Sequence, residues 1–399
     1  MSIRQVSFLK KHIRHALAIA LLLSVQNSYS ADYLKFKEAC ASTEDIQIIG
    51  VGDILLHAPL QRQGLQSTEG FKSLWSSLLP VIQTADLAYA NLEGPAADGV
   101  TKSGKVTTYA SKNFDNNVYT SYPMFNYHST LVSDIKESGF DIVSTANNHS
   151  LDRRSEGVNR TIKALEEAQL SFTGTKSTEN DRQEWYTITK TKGRSIAWLA
   201  CTFSTNGIPD QRSQVLPCFQ NTERLLNLVK QLSSDPKIDA VIVTPHWGNE
   251  YELKQNRSQI QLGHKLIDAG AIAVIGTHPH VVQPWEKYVT ASGREGLIVY
   301  STGNFVSGQP NEERRTSLMV SLRLTGLSGE KLSIRGAEFV PLRMNRGKYQ
   351  VIDVRRAFVN NPASLPPKAM SIWNTGYNVK NIMQPNRDKS LEHICNMSK

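Results

Sequence analysis

The chain has 399 residues, of which 40% are hydrophobic and 20% charged, with a formal net charge of +9 and four cysteines. It is too long for a disulfide-stapled miniprotein and too apolar for a disordered polyelectrolyte, and the absence of any apolar run of about 18 residues excludes a multi-span membrane protein. The positive charge leaves acidic or phosphorylated partners, nucleic acid among them, to be weighed against the motifs.

The N-terminus has three parts. Arg4, Lys10, Lys11 and Arg14 form a basic region, Ala16 to Val25 is apolar, and Ser28 and Ser30 are small residues before a cut at Ala31. This is the layout of a secretory signal peptide, so residues 1–30 are expected to be removed and the protein to work in the periplasm or at the cell surface. An uncleaved anchor is the other reading of the same segment. Removal takes away those four cations and no acid, which lowers the formal charge from +9 to about +5. In an oxidising compartment Cys40, Cys201, Cys218 and Cys395, which have no CxxC spacing, are expected to pair as Cys40–Cys395 and Cys201–Cys218, free buried thiols being the alternative.

From residue 46 apolar runs alternate with amphipathic stretches. Strands are expected over Ile46–Val51, Leu87–Asn91 and Phe140–Ala146, with a polar excursion over 94–128 that has the look of a lid. Ser155 is placed to cap a helix carrying Val158, Ile162 and Leu165 on one face. Further strands are expected over Ser195–Thr202, Asp239–His246, Ala271–His278 and Gly296–Ser301. Helices fall over Thr222–Leu232 and over Ser258–Ala269, the latter stopped by Gly270. Thr316–Leu324, 332–342 and 348–353 read as strands without intervening helices. The pattern predicts an α/β protein with two packed sheets, a single domain over 31–359, and a proline-containing surface tail over 360–399.

Ligand-type side chains recur just past the C-terminal ends of these strands, the edge at which open α/β sheets bind ligands. Asp53 follows the first strand; Asn91 and Glu93 the second; Asn147, Asn148, His149 and Asp152 the third. His246, Asn249 and Glu250 follow Asp239–His246, His278 and His280 close the next, and Asn304 the last. Taken singly, each is more often a turn, cap or structural residue. Together they make a mixed Asp, Glu, Asn and His set that suits a divalent ion such as Mn, Zn or Fe and disfavours a thiolate zinc knuckle. Pro279 between His278 and His280 predicts a loop that splays the two rings. No basic run interleaved with aromatics occurs past residue 30, so nucleic acid is not the expected partner. His128 and His264 read as structural residues, and Trp247 and Trp285 as core residues.

Six segments, Gly52–His57, Ala85–Pro95, Phe140–Asp152, Val243–Tyr251, Gly276–Glu286 and Tyr300–Phe305, resemble in order and spacing the CapA-type capsule-synthesis proteins, the poly-γ-glutamate synthesis family. That family is similar to calcineurin-like metallophosphoesterases, so the resemblance implies a four-layer α/β/β/α sandwich with a two-metal site. It implies Asp53 and His280 at a first metal, Glu93 as the bridging carboxylate, and Asn148, His246 and His278 at a second. His149 takes the place of the general acid, and His57, Asn91, Asp152, Glu250 and Asn304 are further ligands or supports. Two departures bear on the first metal: His57 stands four residues after Asp53 rather than two, and Asn91 and Glu93 replace the usual second motif. One ion or two is therefore expected. The implied function is metal-dependent hydrolysis or transfer on an anionic polymer or a phosphorylated small molecule, beside a membrane-bound polymer-synthesis complex. The alternative is a non-catalytic protein that binds an acidic polymer during assembly or export.

Overall fold

The β-branched and aromatic runs pair into two sheets that face each other. The computed structural model describes residues 36–354 except 42–43, 109–110 and 181; the signal segment, the C-terminal tail and the Cys40–Cys395 pairing lie outside the described residues. In chain order the strands are β1 (Asp45–Leu55), β2 (Leu87–Leu92), β3 (Ile142–Ser144), β4 (Ser171–Thr173), β5 (Tyr186–Thr191), β6 (Arg194–Thr202) and β7 (Ala240–His246). They continue as β8 (Ala273–Ile275), β9 (Val282–Val289), β10 (Glu295–Thr302), β11 (Asn304–Ser307), β12 (Thr316–Thr325), β13 (Ser333–Asn345) and β14 (Gln350–Asp353). The helices of eight residues or more are α1 (Ala58–Gln66), α2 (Thr130–Glu137), α3 (Arg154–Glu167), α4 (Thr222–Ser234) and α5 (Arg257–Asp268).

One sheet has the order β14-β13-β12-β1-β2-β3-β4, with β11 also beside β1; the other runs β5-β6-β7-β8-β10-β9. Three apolar cores define the layers. Ile48, Tyr89, Val320 and Leu322 from the first sheet meet Trp198, Ile242 and Val299 from the second, so one core lies between the sheets. A second core packs Val51, Ala90 and Val143 of the first sheet on Leu60, Leu131 and Ile135 of α1 and α2. A third packs Leu199, Val241 and Ile298 of the second sheet on Leu225, Val229, Leu262 and Leu266 of α4 and α5. The order is thus helices, sheet, sheet, helices, the four-layer α/β/β/α sandwich. Tyr89 and Trp198 stack across the inter-sheet core with ring centroids 5.5 Å apart, a contact worth about 1 kcal/mol beyond its area.

Several element boundaries differ from expectation for local reasons. α3 begins at Arg154, and no side chain caps it, so Ser155 is not its cap. α5 begins at Arg257 because Asn256 and Gln259 form a capping box, and Gly270, at φ +120°, follows its C-terminal cap Ala269. The strand expected over Ala271–His278 is confined to Ala273–Ile275, and Gly276 follows it at a place where an added Cβ would meet the Tyr300 carbonyl and the Trp247 indole. β9 carries Pro284 and charged residues, a composition that an edge strand tolerates. The 94–128 excursion is tied down within its described part. Asn126 bonds to Ala97 and Val118, and Phe125 and Tyr127 enter the core beneath α2.

A candidate metal centre at the strand ends

Both sheets deliver side chains to one place. β1 carries Asp53 near its C-terminal end, and the register shift between Asp53 and Ile54 sets it opposite Asn304 of β11. Glu93 follows β2, Asn148 and His149 follow β3, His246 ends β7, and His278 and His280 lie in the loop after β8. Asp53, Glu93 and His246 are fully buried.

The buried set forms two trios that share one carboxylate. Ligand atoms of Asp53, Glu93 and His280 lie within 4.8 Å of one another, as do those of Glu93, His246 and His278. A third group of the same size joins His278 and His280 to Glu250, whose side chain is exposed. Oε1 of Glu93 lies 3.6 Å from His246 Nε2 and 3.8 Å from His280 Nε2.

The supporting bonds fix several of these groups. Asn91 donates to Asp53 Oδ1 at 2.8 Å. Asn304 donates its amide hydrogens to the carbonyls of His280 and Arg314, which turns its own oxygen to His280 Nδ1 at 3.0 Å. Asp53 Oδ2 is 3.2 Å from the same nitrogen. With two acceptors at Nδ1, the proton of a neutral His280 ring sits there, and the Nε2 lone pair faces Glu93. His246 is held by Thr277 Oγ1 at 2.9 Å from Nδ1 and by Asn148 Oδ1 at 2.9 Å from Nε2. His149 Nδ1 is 2.7 Å from Asp152 Oδ2, which also accepts from the Phe125 N–H, and the ring stands edge-on to Phe125.

These residues fit a divalent cation. Both carboxylate oxygens of Glu93 and Nδ1 of His278 are buried without a hydrogen-bond partner among the described residues. Leaving a buried carboxylate unpaired costs several kcal/mol, and native interiors rarely do so. Burial, with Asp53, Glu250 and Asp152 adding to it, holds the Glu93 carboxyl well above its ordinary range. Burial likewise pushes His246 and His278 well below theirs, helped by the other imidazoles, so both rings stay neutral and able to ligate. His278 at φ +97° and His280 at φ +59° are non-glycine residues in left-handed backbone, a strain concentrated where the two rings diverge around Pro279.

His57 stands apart from the trios. It occupies the N-cap position of α1, and its Nδ1 lies 3.2 Å from both the Leu55 carbonyl and the Gly308 N–H. Asn249 is exposed and bonds to Asn256. His264, on α5, pairs with Glu286 of β9, and Trp247 and Trp285 are buried in the cores. Sequence reasoning passed over Phe125, Phe203, Asn206, Tyr251 and Thr277. Phe203 packs its ring 4.3 Å from that of His278, and Asn206 accepts from Asn148. They belong to loops, and no periodicity marks them.

The fold and this centre define a class: four-layer α/β/β/α proteins with a buried carboxylate–imidazole cluster at the strand ends. Residues 47–309 match the family model described as bacterial capsule synthesis protein PGA_cap, and the chain belongs to that family. It is 28% identical over 350 residues to the capsule biosynthesis protein CapA of Bacillus anthracis, covering 85% of this chain and 78% of that one. It is 27% identical over 317 residues to the PGA biosynthesis protein CapA of Bacillus subtilis, covering 79% and 77%. Among solved structures it is similar to the Haemophilus influenzae NAD nucleotidase, with a TM-score of 0.48, 12% identity, and coverage of 85% of this chain and 60% of that one.

Proposed function

We propose that this chain is an exported metal-dependent hydrolase or transferase acting on a phosphoester or amide of an anionic substrate during synthesis of a capsule or polyglutamate-type polymer. The observation that carries the reading is Glu93, a buried carboxylate with both oxygens unpaired among the described residues and imidazole nitrogens on two sides. Asp53, Glu93 and His280 would hold one divalent ion. Glu93, His246 and His278, with Asn148 beside them, would hold a second, with Mn, Zn or Fe suited to this donor set. Such an ion would polarise a phosphoryl or carbonyl oxygen and make water a better nucleophile.

The chain's own residues do the rest. Asn91 and Asn304 aim Asp53 and His280. Asp152 fixes the Nδ1 proton of His149, which leaves Nε2 as the atom that handles the proton of the leaving group. Export is supported by the basic, apolar and small-residue order of residues 1–30 and by the Cys201–Cys218 disulfide. The names of the two Bacillus relatives support the polymer context, and a partner complex at the membrane follows from it as part of the same proposal.

Metal analysis by mass spectrometry on the purified protein tests the reading. One or two ions per chain are expected, lost in the His246→Ala, His280→Ala double variant. Hydrolysis of an aryl phosphate should fall with His149→Ala. A folded protein that holds no metal yet binds polyglutamate without turnover would instead be a polymer-binding accessory.

A further inference from the structure

We propose that Arg314 and Tyr251 form an anion clamp at the mouth of the metal centre, which binds a second negatively charged group of the substrate beside the reacting one. The inference rests on the functional reading above and adds the chemical class of substrate: one with at least two anionic groups.

The clamp is built from a turn and a four-residue helix, Glu312–Arg315, that support the site. Tyr251 directly follows Glu250, and its N–H donates to the carbonyl of Pro279, the residue between His278 and His280. Its ring centroid lies 6.0 Å from that of His280, and its φ of +69° is unusual for a tyrosine. The Arg314 carbonyl accepts from Asn304, the residue that aims His280, while its guanidinium lies 3.4 Å from the centroid of the Tyr251 ring. Both residues are therefore fixed through the backbone to supports of the metal ligands. Tyr251 remains 39% exposed, so the pair borders solvent.

Charge pairing around Arg314 leaves its guanidinium available. Its neighbour Arg315 and the facing Arg343 both bind Glu312. Arg314 makes no ion pair with a carboxylate among the described residues. A guanidinium held over an aromatic ring keeps N–H groups for an incoming carboxylate or phosphate, and the contact reduces the side-chain freedom lost on binding.

The test uses full-length, metal-loaded protein and three fluorescent probes: a short glutamate oligomer, polyphosphate, and a neutral glutamine oligomer. Wild type is expected to bind one or both anionic probes and not the neutral one, and the anion preferred identifies carboxylate or phosphate as the natural group. Arg314→Gln should weaken anionic binding about tenfold, and Arg314→Lys should fall between, because it keeps the charge and loses the planar guanidinium. Metal content, measured on the same samples, should stay at the wild-type level. Unchanged affinity in Arg314→Gln, or a wild type that binds neither anionic probe, overturns the clamp. Loss of metal together with affinity in Arg314→Gln also overturns it, since Arg314 would then act through Asn304 and His280. A wild type without metal that still loses probe binding on Arg314→Gln overturns the metal-dependent reading and leaves the clamp standing.

Discussion

Under the proposed function, Asp152 decides which nitrogen of His149 handles a proton. Replacing it with Asn removes the charge that fixes the ring, and turnover is expected to fall about 10–100-fold with metal content unchanged, as steady-state kinetics and mass spectrometry on one preparation would show. His57 gives a second residue-scale prediction. Burial pushes its pKa from 6.5 down to about 4, against the pull of the Leu55 carbonyl. The unfolded chain therefore takes up that proton first as the pH falls. The contribution to stability is complete above pH 6.5 and is lost as the pH drops towards 4, at up to about 1.4 kcal/mol per pH unit. Urea unfolding of wild type and His57→Asn across that range should show the smaller slope in the variant. The strand-end polar residues were legible because each follows an apolar run. Tyr251, Arg314 and Asn206 were not, since two lie in turns and Arg314 in the four-residue helix Glu312–Arg315, none long enough to show a period.

At the scale of elements, two close approaches hold the strand ends in place. A Cβ on Gly52 would meet the Gly303 carbonyl oxygen at 1.7 Å, and one on Gly276 would meet the Tyr300 carbonyl oxygen at 2.2 Å. Gly52→Ala is expected to cost about 1–3 kcal/mol or more, read as a lower urea midpoint, and to weaken metal retention by displacing Asp53. The Cys201–Cys218 disulfide spans 17 residues and closes the segment that carries Phe203 and Asn206. Replacing both cysteines with serine should lower stability by about 3 kcal/mol, measured as a fall in Tm under non-reducing conditions. Long strands and the amphipathic α4 and α5 could be read directly from apolar spacing. The apolar runs also marked β3 and β8, though as longer strands over Phe140–Ala146 and Ala271–His278, whereas the three-residue β4 is too short to show a period and exists through pairing with β3.

For the whole molecule, a ligand that binds only the folded state raises stability by mass action. Divalent metal at a hundred times its Kd should stabilise the protein by about 2.7 kcal/mol, and Glu93→Gln should reduce that gain; thermal unfolding with and without chelator would measure both. The two-sheet architecture was readable because the alternating strands and helices give way to a strand-only segment. The facing of the sheets follows from which side of each strand is apolar, and the three cores show it.

The division of the centre between the sheets has a consequence for timing. Asp53 and Glu93 come from one sheet, and His246, His278 and His280 from the other, so neither sheet alone completes either of the two buried trios that share Glu93. Under the export proposed above, a chain still threading through a membrane offers a passing ion neither of the trios built on Glu93. Capture at Glu93 waits until the sheets dock, and the metal acquired there is then the one supplied by the compartment where folding finishes, not the one most abundant where the chain was made.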